Sequence, residues 1–236
     1  MTSPSLLRAL TGLLVAAAIA GCAGDDRARI VLVTTTSVEA SGLLDTVLTA
    51  YHGDQDQYRL ATTAVGSGAA LEIGRRGDAD VLLTHAPHRE LRFMEEGHGL
   101  ERGAVMRNRF VLLGPGDDPA GIAAAESANE ALERIAATGS SFLSRGDDSG
   151  THARERQLWA SAGLEPWTGS DWYIEAGTGM GETLQMASQL GAYVLADNAS
   201  FRFLRDRLAL TSLFTEDANL DNHYSYILPA RSLNPE

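Results

Sequence analysis

Residues 144–152 read Ser-Arg-Gly-Asp-Asp-Ser-Gly-Thr-His, and they stand between an apolar pair, Phe142-Leu143, and a helical pattern over residues 151–162. A strand that ends in such a turn and enters a helix directly is the repeating unit of an α/β protein. The turn also carries a chemistry. Helix N-termini have unpaired N–H groups and the positive end of a dipole, so hydroxyls and glycines gathered there make a place for an anion. Arg145 adds a fixed positive charge.

The same unit occurs twice upstream. Ile30-Val31-Leu32-Val33 runs into Thr34-Thr35-Thr36-Ser37, and residues 41–51 then set Leu43, Leu44, Val47, Leu48 and Tyr51 on one helical face. The strand pattern 58–65 runs into Gly66-Ser67-Gly68, followed by a short helix over 69–75 and the strand Val81-Leu82-Leu83. Phe110-Val111-Leu112-Leu113 then meets the turn-rich Gly114-Pro115-Gly116, which marks a lobe boundary. Residues 123–138 read as helix, and 192–197 as the strand that carries the chain back. The pattern predicts an α/β fold of two lobes, with residues 29–112 plus 196–236 in the first and 113–195 in the second.

Composition narrows the partners. The net charge is −12, and all nineteen basic residues are arginine. So acidic a surface argues against nucleic acid or anionic lipid as a partner, and an anion needs a local pocket of donors to overcome the global field. One cysteine, Cys22, excludes a disulfide framework and a cysteine metal cluster. It closes the run Ile19-Ala20-Gly21-Cys22 behind a basic start and a short apolar stretch, the layout of a secretory signal. That ending resembles a lipobox, which implies a signal peptide over 1–21, acylation of Cys22 and a tether over 22–28. The apolar run is too short for a bilayer span.

Enzyme readings of the same residues find little support. Asp148-Ser149-Gly150-Thr151 matches the aspartic-protease tetrad, but no second copy exists to share a proton with it. Gly66-Ser67-Gly68 is not a nucleophile elbow, and a phosphate loop is impossible without lysine. His85 and His88 stand three apart with no third ligand of matching type nearby, so no metal site is expected. Gly177-x-Gly179-x-Gly181 reads as close packing or a turn, with pocket lining as the alternative.

Taken together, Thr34-Thr35-Thr36-Ser37, Val65-Gly66-Ser67-Gly68, residues 75–82 with His85-Ala86-Pro87, the 144–152 stretch and Gly177-x-Gly179-Met180-Gly181 resemble the tungstate-binding proteins of Tup-type ABC importers. The resemblance implies a class II periplasmic-binding-protein fold, two α/β lobes joined by two crossover strands that close on a tetrahedral oxyanion. It implies capture of tungstate, with molybdate as a near neighbour, and delivery to an ABC permease. It implies no turnover, cofactor or resident metal, and a monomer held outside the cytoplasm by a lipid anchor. Carried over residue by residue, the family pattern puts donors at Thr35, Thr36, Ser37, Ser67, Arg145, Ser149 and Thr151, with the backbone of Gly150. Asp147 would pair with Arg145 and hold it, while Asp148 has no assigned task.

Phosphate receptors are similar in the Arg-x-Asp-x-Ser-Gly-Thr segment, so a phosphate or sulfate receptor on the same fold stays open. Those relatives use a Ser-Asp-Ala-Pro carboxylate to accept the proton of monohydrogen phosphate. Here the stretch reads Thr84-His85-Ala86-Pro87, which removes that carboxylate and favours a fully ionised ligand. His85 either contributes a neutral N–H or packs.

Overall fold

The computed structural model describes residues 27–54, 57–167 and 169–231. The expected signal segment, Cys22 and most of the tether lie outside the described residues. Strand β1 (Ala28–Thr35) pairs in parallel with β2 (Tyr58–Val65) on one side and β3 (Val81–Thr84) on the other. Around them lie α1 (Thr36–Ala40), α2 (Leu43–Asp54) and α3 (Ser67–Arg76). The sequence pattern suggests one helix over 41–51, and two are present. Gly42 takes a left-handed φ of 70°, which interrupts the helix and leaves α1 to begin straight off the strand.

After α4 (Pro87–Glu95), which starts on a proline as helices tolerate, comes the long strand β4 (Gly99–Gly114). Residues 99–109 of β4 pair antiparallel with β9 (Asp221–Pro229), which in turn pairs with β3. Residues 110–114 leave β9 and pair with β7 (Val194–Asp197) and β8 (Thr211–Phe214). One strand therefore serves two lobes, and the order β2-β1-β3-β9-β4-β7 runs through both, with β8 branching at β4. Its burial changes at the crossing: 99–109 are exposed or half-buried, and 110–114 are fully buried.

The second lobe contains α5 (Ala128–Thr138), β5 (Phe142–Ser144), α6 (Gly150–Ser161), β6 (Tyr173–Glu175), α7 (Met180–Leu190) and α8 (Asn198–Leu204). Helix α5 starts later than the pattern suggests because Ser127 caps it, its Oγ accepting from Glu130 N at 3.1 Å. Strand β5 pairs in parallel with β6 and meets β7 through a Phe142–Tyr193 bridge.

The pattern places residues 196–220 in the first lobe, but their pairing is with the second. Strand β8 lies on β4 at 112–114, Leu204 and Leu210 pack with Met180 and Leu184, and Phe214 and Leu220 pack with Phe110 and Trp159. The chain recrosses only at Asp221, where β9 begins. A four-residue apolar strand such as β7 reads the same whichever sheet it joins, so its partner is not visible in sequence.

Phe142 is fully buried against Trp159, ring centroids 5.1 Å apart edge to face, and stacks on Tyr173 at 5.9 Å. Phe142→Ala is expected to remove about 3–5 kcal/mol of stability by opening a cavity that this rigid aromatic group cannot fill. Urea unfolding measures it; a loss below about 1 kcal/mol would show that the second lobe does not depend on this cluster.

Candidate functional site

Three strand-to-helix junctions face one another across the lobes. Thr35 caps α1 with φ −107° and ψ 151°, and its side chain makes no capping bond. Gly66 caps α3 without a side chain to offer. Ser149 caps α6, its Oγ accepting from His152 N at 3.2 Å. A Cβ built on Gly150 would lie 2.8 Å from Ser67 Oγ and 2.9 Å from the His85 carbonyl, so glycine is what lets α6 approach α3. Gly179, at the start of α7, lies 3.6 Å by the same measure from Thr36. That is an ordinary van der Waals distance, and a Cβ on Gly177 would meet nothing within 4 Å, so the stretch serves as a turn, with Gly177 at a left-handed φ of 65°.

Arg145 is fully buried at this junction. Its Nε donates to Thr178 O at 3.1 Å, and its Nη2 donates to Thr36 Oγ1 at 2.9 Å and to Asp147 Oδ2. Burial pushes the guanidinium pKa down, and the Asp147 carboxylate opposes that shift. The group keeps its charge, as arginine does.

What remains unpaired is informative. Thr35 Oγ1, Ser37 Oγ, Ser67 Oγ, Thr151 Oγ1 and Arg145 Nη1 are all buried, and none has a hydrogen-bonding partner within the protein. Each such atom costs about 1–3 kcal/mol when nothing satisfies it. All five belong to the predicted set. Thr36 and Ser149 differ: each hydroxyl oxygen already accepts a bond from the protein, so only its O–H remains to give. The cluster is enclosed, and a groove of 130 Å³ lined by His85, Phe110, Gly150, Arg154 and Asn222 adjoins it at His85 and Gly150.

The two aspartates separate in position. Asp147 Oδ1 accepts from Ser149 N at 3.2 Å while Oδ2 meets Arg145, so it ties the guanidinium to the start of α6. Asp148 adopts φ 57° and turns outward to Arg89 on α4, which donates to its carbonyl at 3.0 Å and to its Oδ1 at 2.5 Å. Arg89 lowers the Asp148 pKa through that bond. The pair bridges the lobes beside the cluster, and Gly68 gives it room, since a Cβ there would sit 2.7 Å from both side chains. Nothing in the spacing of Arg89 and Asp148 along the chain signals this contact.

His85 and His88 do not act together. Among the described residues no group of three or more His, Cys, Asp or Glu is placed to hold a metal ion. His88 is exposed, whereas His85 is buried, stacked on Tyr224 at 4.7 Å, with Nδ1 3.0 Å from Asn222 Oδ1. Glu155 lies behind Arg145, fully inside the second lobe, accepting from Tyr173 OH at 2.6 Å; burial raises its pKa to about 7.

A family model described as a PBP superfamily domain matches residues 20–229. The tungstate-binding protein TupA of Peptoclostridium acidaminophilum is 39% identical over 91% of this chain and 79% of its own length. The chain belongs to the TupA family, within the PBP superfamily. The crystal structure of the tungstate ABC transporter protein from Geobacter sulfurreducens is 42% identical, superposes with a TM-score of 0.76, and is covered over 84% of its length by 85% of this chain. A Haloferax volcanii relative, provisionally named for ABC-transporter anion binding, is 46% identical over 77% of this chain, which spans only 52% of that protein's length. This TupA-family chain thus shares both its architecture and much of its sequence with solute-binding proteins.

Removing the Asp147 carboxylate strands a buried cation. Asp147→Ala is expected to destabilise the protein by about 3 kcal/mol, the low end for breaking a buried pair, because Asp147 keeps some exposure. Asp148→Asn, in a pair whose side chains are 37% and 72% exposed, should change stability by no more than about 1 kcal/mol. Urea unfolding without added anion separates them, and equal losses would contradict the division of roles.

Proposed function

We propose that this protein is an extracytoplasmic receptor that captures tungstate between its lobes and hands it to an ABC permease. The observation that carries the reading is the set of unpaired buried donors at Thr35, Ser37, Ser67, Arg145 and Thr151. A fully deprotonated tetrahedral dianion can only accept hydrogen bonds, and it suits a cluster whose hydroxyls and guanidinium have donors to give. In this reading the O–H groups of Thr36 and Ser149 and the backbone of Gly150 complete the shell. Asp147 keeps Arg145 in place, and Arg89 with Asp148 helps hold the lobes together over the anion. Molybdate, nearly equal in size and charge, enters the same site. The protein works as a monomer, is tethered to the membrane through acylated Cys22, and carries out no chemical turnover.

The sequence identity to TupA proteins supports tungstate over other oxyanions. Calorimetric titration with tungstate, molybdate, sulfate and phosphate tests it. Tungstate should bind tightest, and Arg145→Gln should weaken it by about 100-fold or more, the effect of losing one charged hydrogen bond and a fixed charge. Phosphate binding more tightly than tungstate would overturn the assignment. Unaltered affinity in Arg145→Gln, with the fold intact, would place the site elsewhere.

A further inference from the structure

His85 is a buried group beside the donor cluster to which the reading above gives no role. Its Nε2 is buried and has no partner within the protein. Its Cε1, between the two ring nitrogens, lies 3.0 Å from the position a Gly150 Cβ would occupy, and Ser67 Oγ lies 2.8 Å from the same point. The ring edge therefore borders the donor cluster.

Which atom of the ring carries the proton follows from a chain of bonds across the lobe crossing. Asp197 accepts from Ser200 N at 2.9 Å and from Ser200 Oγ at 2.7 Å, so it faces its neighbours as an acceptor. Asn108 must then turn its amide N–H to Asp197, at 3.2 Å, and its carbonyl to Asn222, whose Nδ2 donates at 2.9 Å. That leaves Asn222 Oδ1 to accept, so His85 Nδ1 is the protonated nitrogen. Nε2 is a bare lone pair at the edge of a site otherwise made of donors.

We propose that His85 Nε2 shares a proton with the bound oxyanion, so that capture of a dianion is coupled to uptake of one proton. This rests on the functional reading above. A lone pair facing an anion oxygen is repulsive, and a proton between them turns the repulsion into a charge-assisted hydrogen bond. For tungstate the proton comes from solvent and sits on Nε2 in the complex. Monohydrogen phosphate brings its own proton, so the same contact forms with no net uptake. The carboxylate absent from Thr84-His85-Ala86-Pro87 is thereby replaced by a neutral acceptor, at which tungstate and monohydrogen phosphate differ in the number of protons taken up.

Before the anion arrives the ring stays neutral. Burial holds its pKa down to about 4, against the raising effect of the Asn222 bond, with Arg145 lowering it and Asp147 raising it. Other charged or titratable groups reach the adjoining groove from every side: His88 and Arg89 on α4, Arg154 on α6, and Asp221 and His223 on β9. A dianion in contact with the ring adds a strong raising influence to this balance. Between the free and bound values of His85 the affinity then rises as pH falls, by up to about tenfold per unit.

The test is calorimetry of tungstate binding from about pH 6.5 to 8.5 in two buffers of different ionisation enthalpy. Uptake approaching one proton per anion at the low end, declining as pH rises, is expected; His85→Gln should bind with no uptake. Imidazole nitrogen spectra of the unaltered protein serve as a second measurement if that variant misfolds, and tungstate should convert Nε2 from bare to protonated. Binding with no proton uptake at any pH in the range, and an unchanged Nε2, would overturn the inference while leaving the receptor reading intact. Failure of tungstate to bind at all would overturn both.

Discussion

A guanidinium taken fully out of water is the constraint on which the rest of this structure depends. Arg145 sits at the end of β5 with no exposed surface, and a charge in that position is tolerated only if its donors are met. Three of its five N–H donors are assigned by the fold: Thr178 holds Nε, and Thr36 and Asp147 share Nη2. Nη1 is left over, as are the hydroxyls of Thr35, Ser37, Ser67 and Thr151. Protein interiors rarely keep several such atoms together without a ligand to receive them. The electrostatics are local, because the chain as a whole carries −12 and its long-range field repels the anion that this cluster suits.

The architecture explains how such a cluster can be both closed and accessible. Its donors come from two lobes, Thr35, Ser37 and Ser67 from the first and Arg145 and Thr151 from the second, and those lobes share β4, with a second crossing of the chain where β9 begins. Contacts across the cleft are of two kinds: polar ones, Arg145 to Thr36, Arg89 to Asp148 and Ser200 to Ser37, and apolar ones on the side of α1, where Ala40 packs on the Met180–Leu184 cluster and Phe203 lies against Gly42. An anion that bonds donors of both lobes shifts the population toward the closed form. The bond chain from Asp197 through Asn108 and Asn222 to His85 passes through the crossing strands, so the ring beside the cluster is oriented by Asn222 and by the residues that orient Asn222 in turn.

Much of this was legible before any coordinates. Strand-turn-helix units rich in Thr, Ser and Gly specify both the α/β class and the positions of the donors, because the same local geometry produces an N-terminus and an anion site. Thr35, Ser37, Ser67, Arg145 and Thr151 fall together for that reason. Less legible was everything set by pairing across distance. The lobe that receives residues 196–220 depends on β7 and β8 choosing the far end of β4, and four-residue apolar strands carry no mark of their partner. Arg89 meets Asp148 across 59 positions of chain, and the tautomer of His85 depends on Asn222, 137 residues away. Such contacts follow from topology and have no local pattern.

The central claim is that an oxyanion lies between the lobes on these particular donors. The most direct measurement is a crystal structure of the protein grown with tungstate, with diffraction recorded at the tungsten absorption edge. A single strong anomalous peak is expected within the enclosed cluster, its oxygens accepting from Arg145 Nη1 and from the hydroxyls of Thr35, Ser37, Ser67 and Thr151. A peak only on the outer surface, or an interlobe site whose oxygens bypass Arg145, would contradict it.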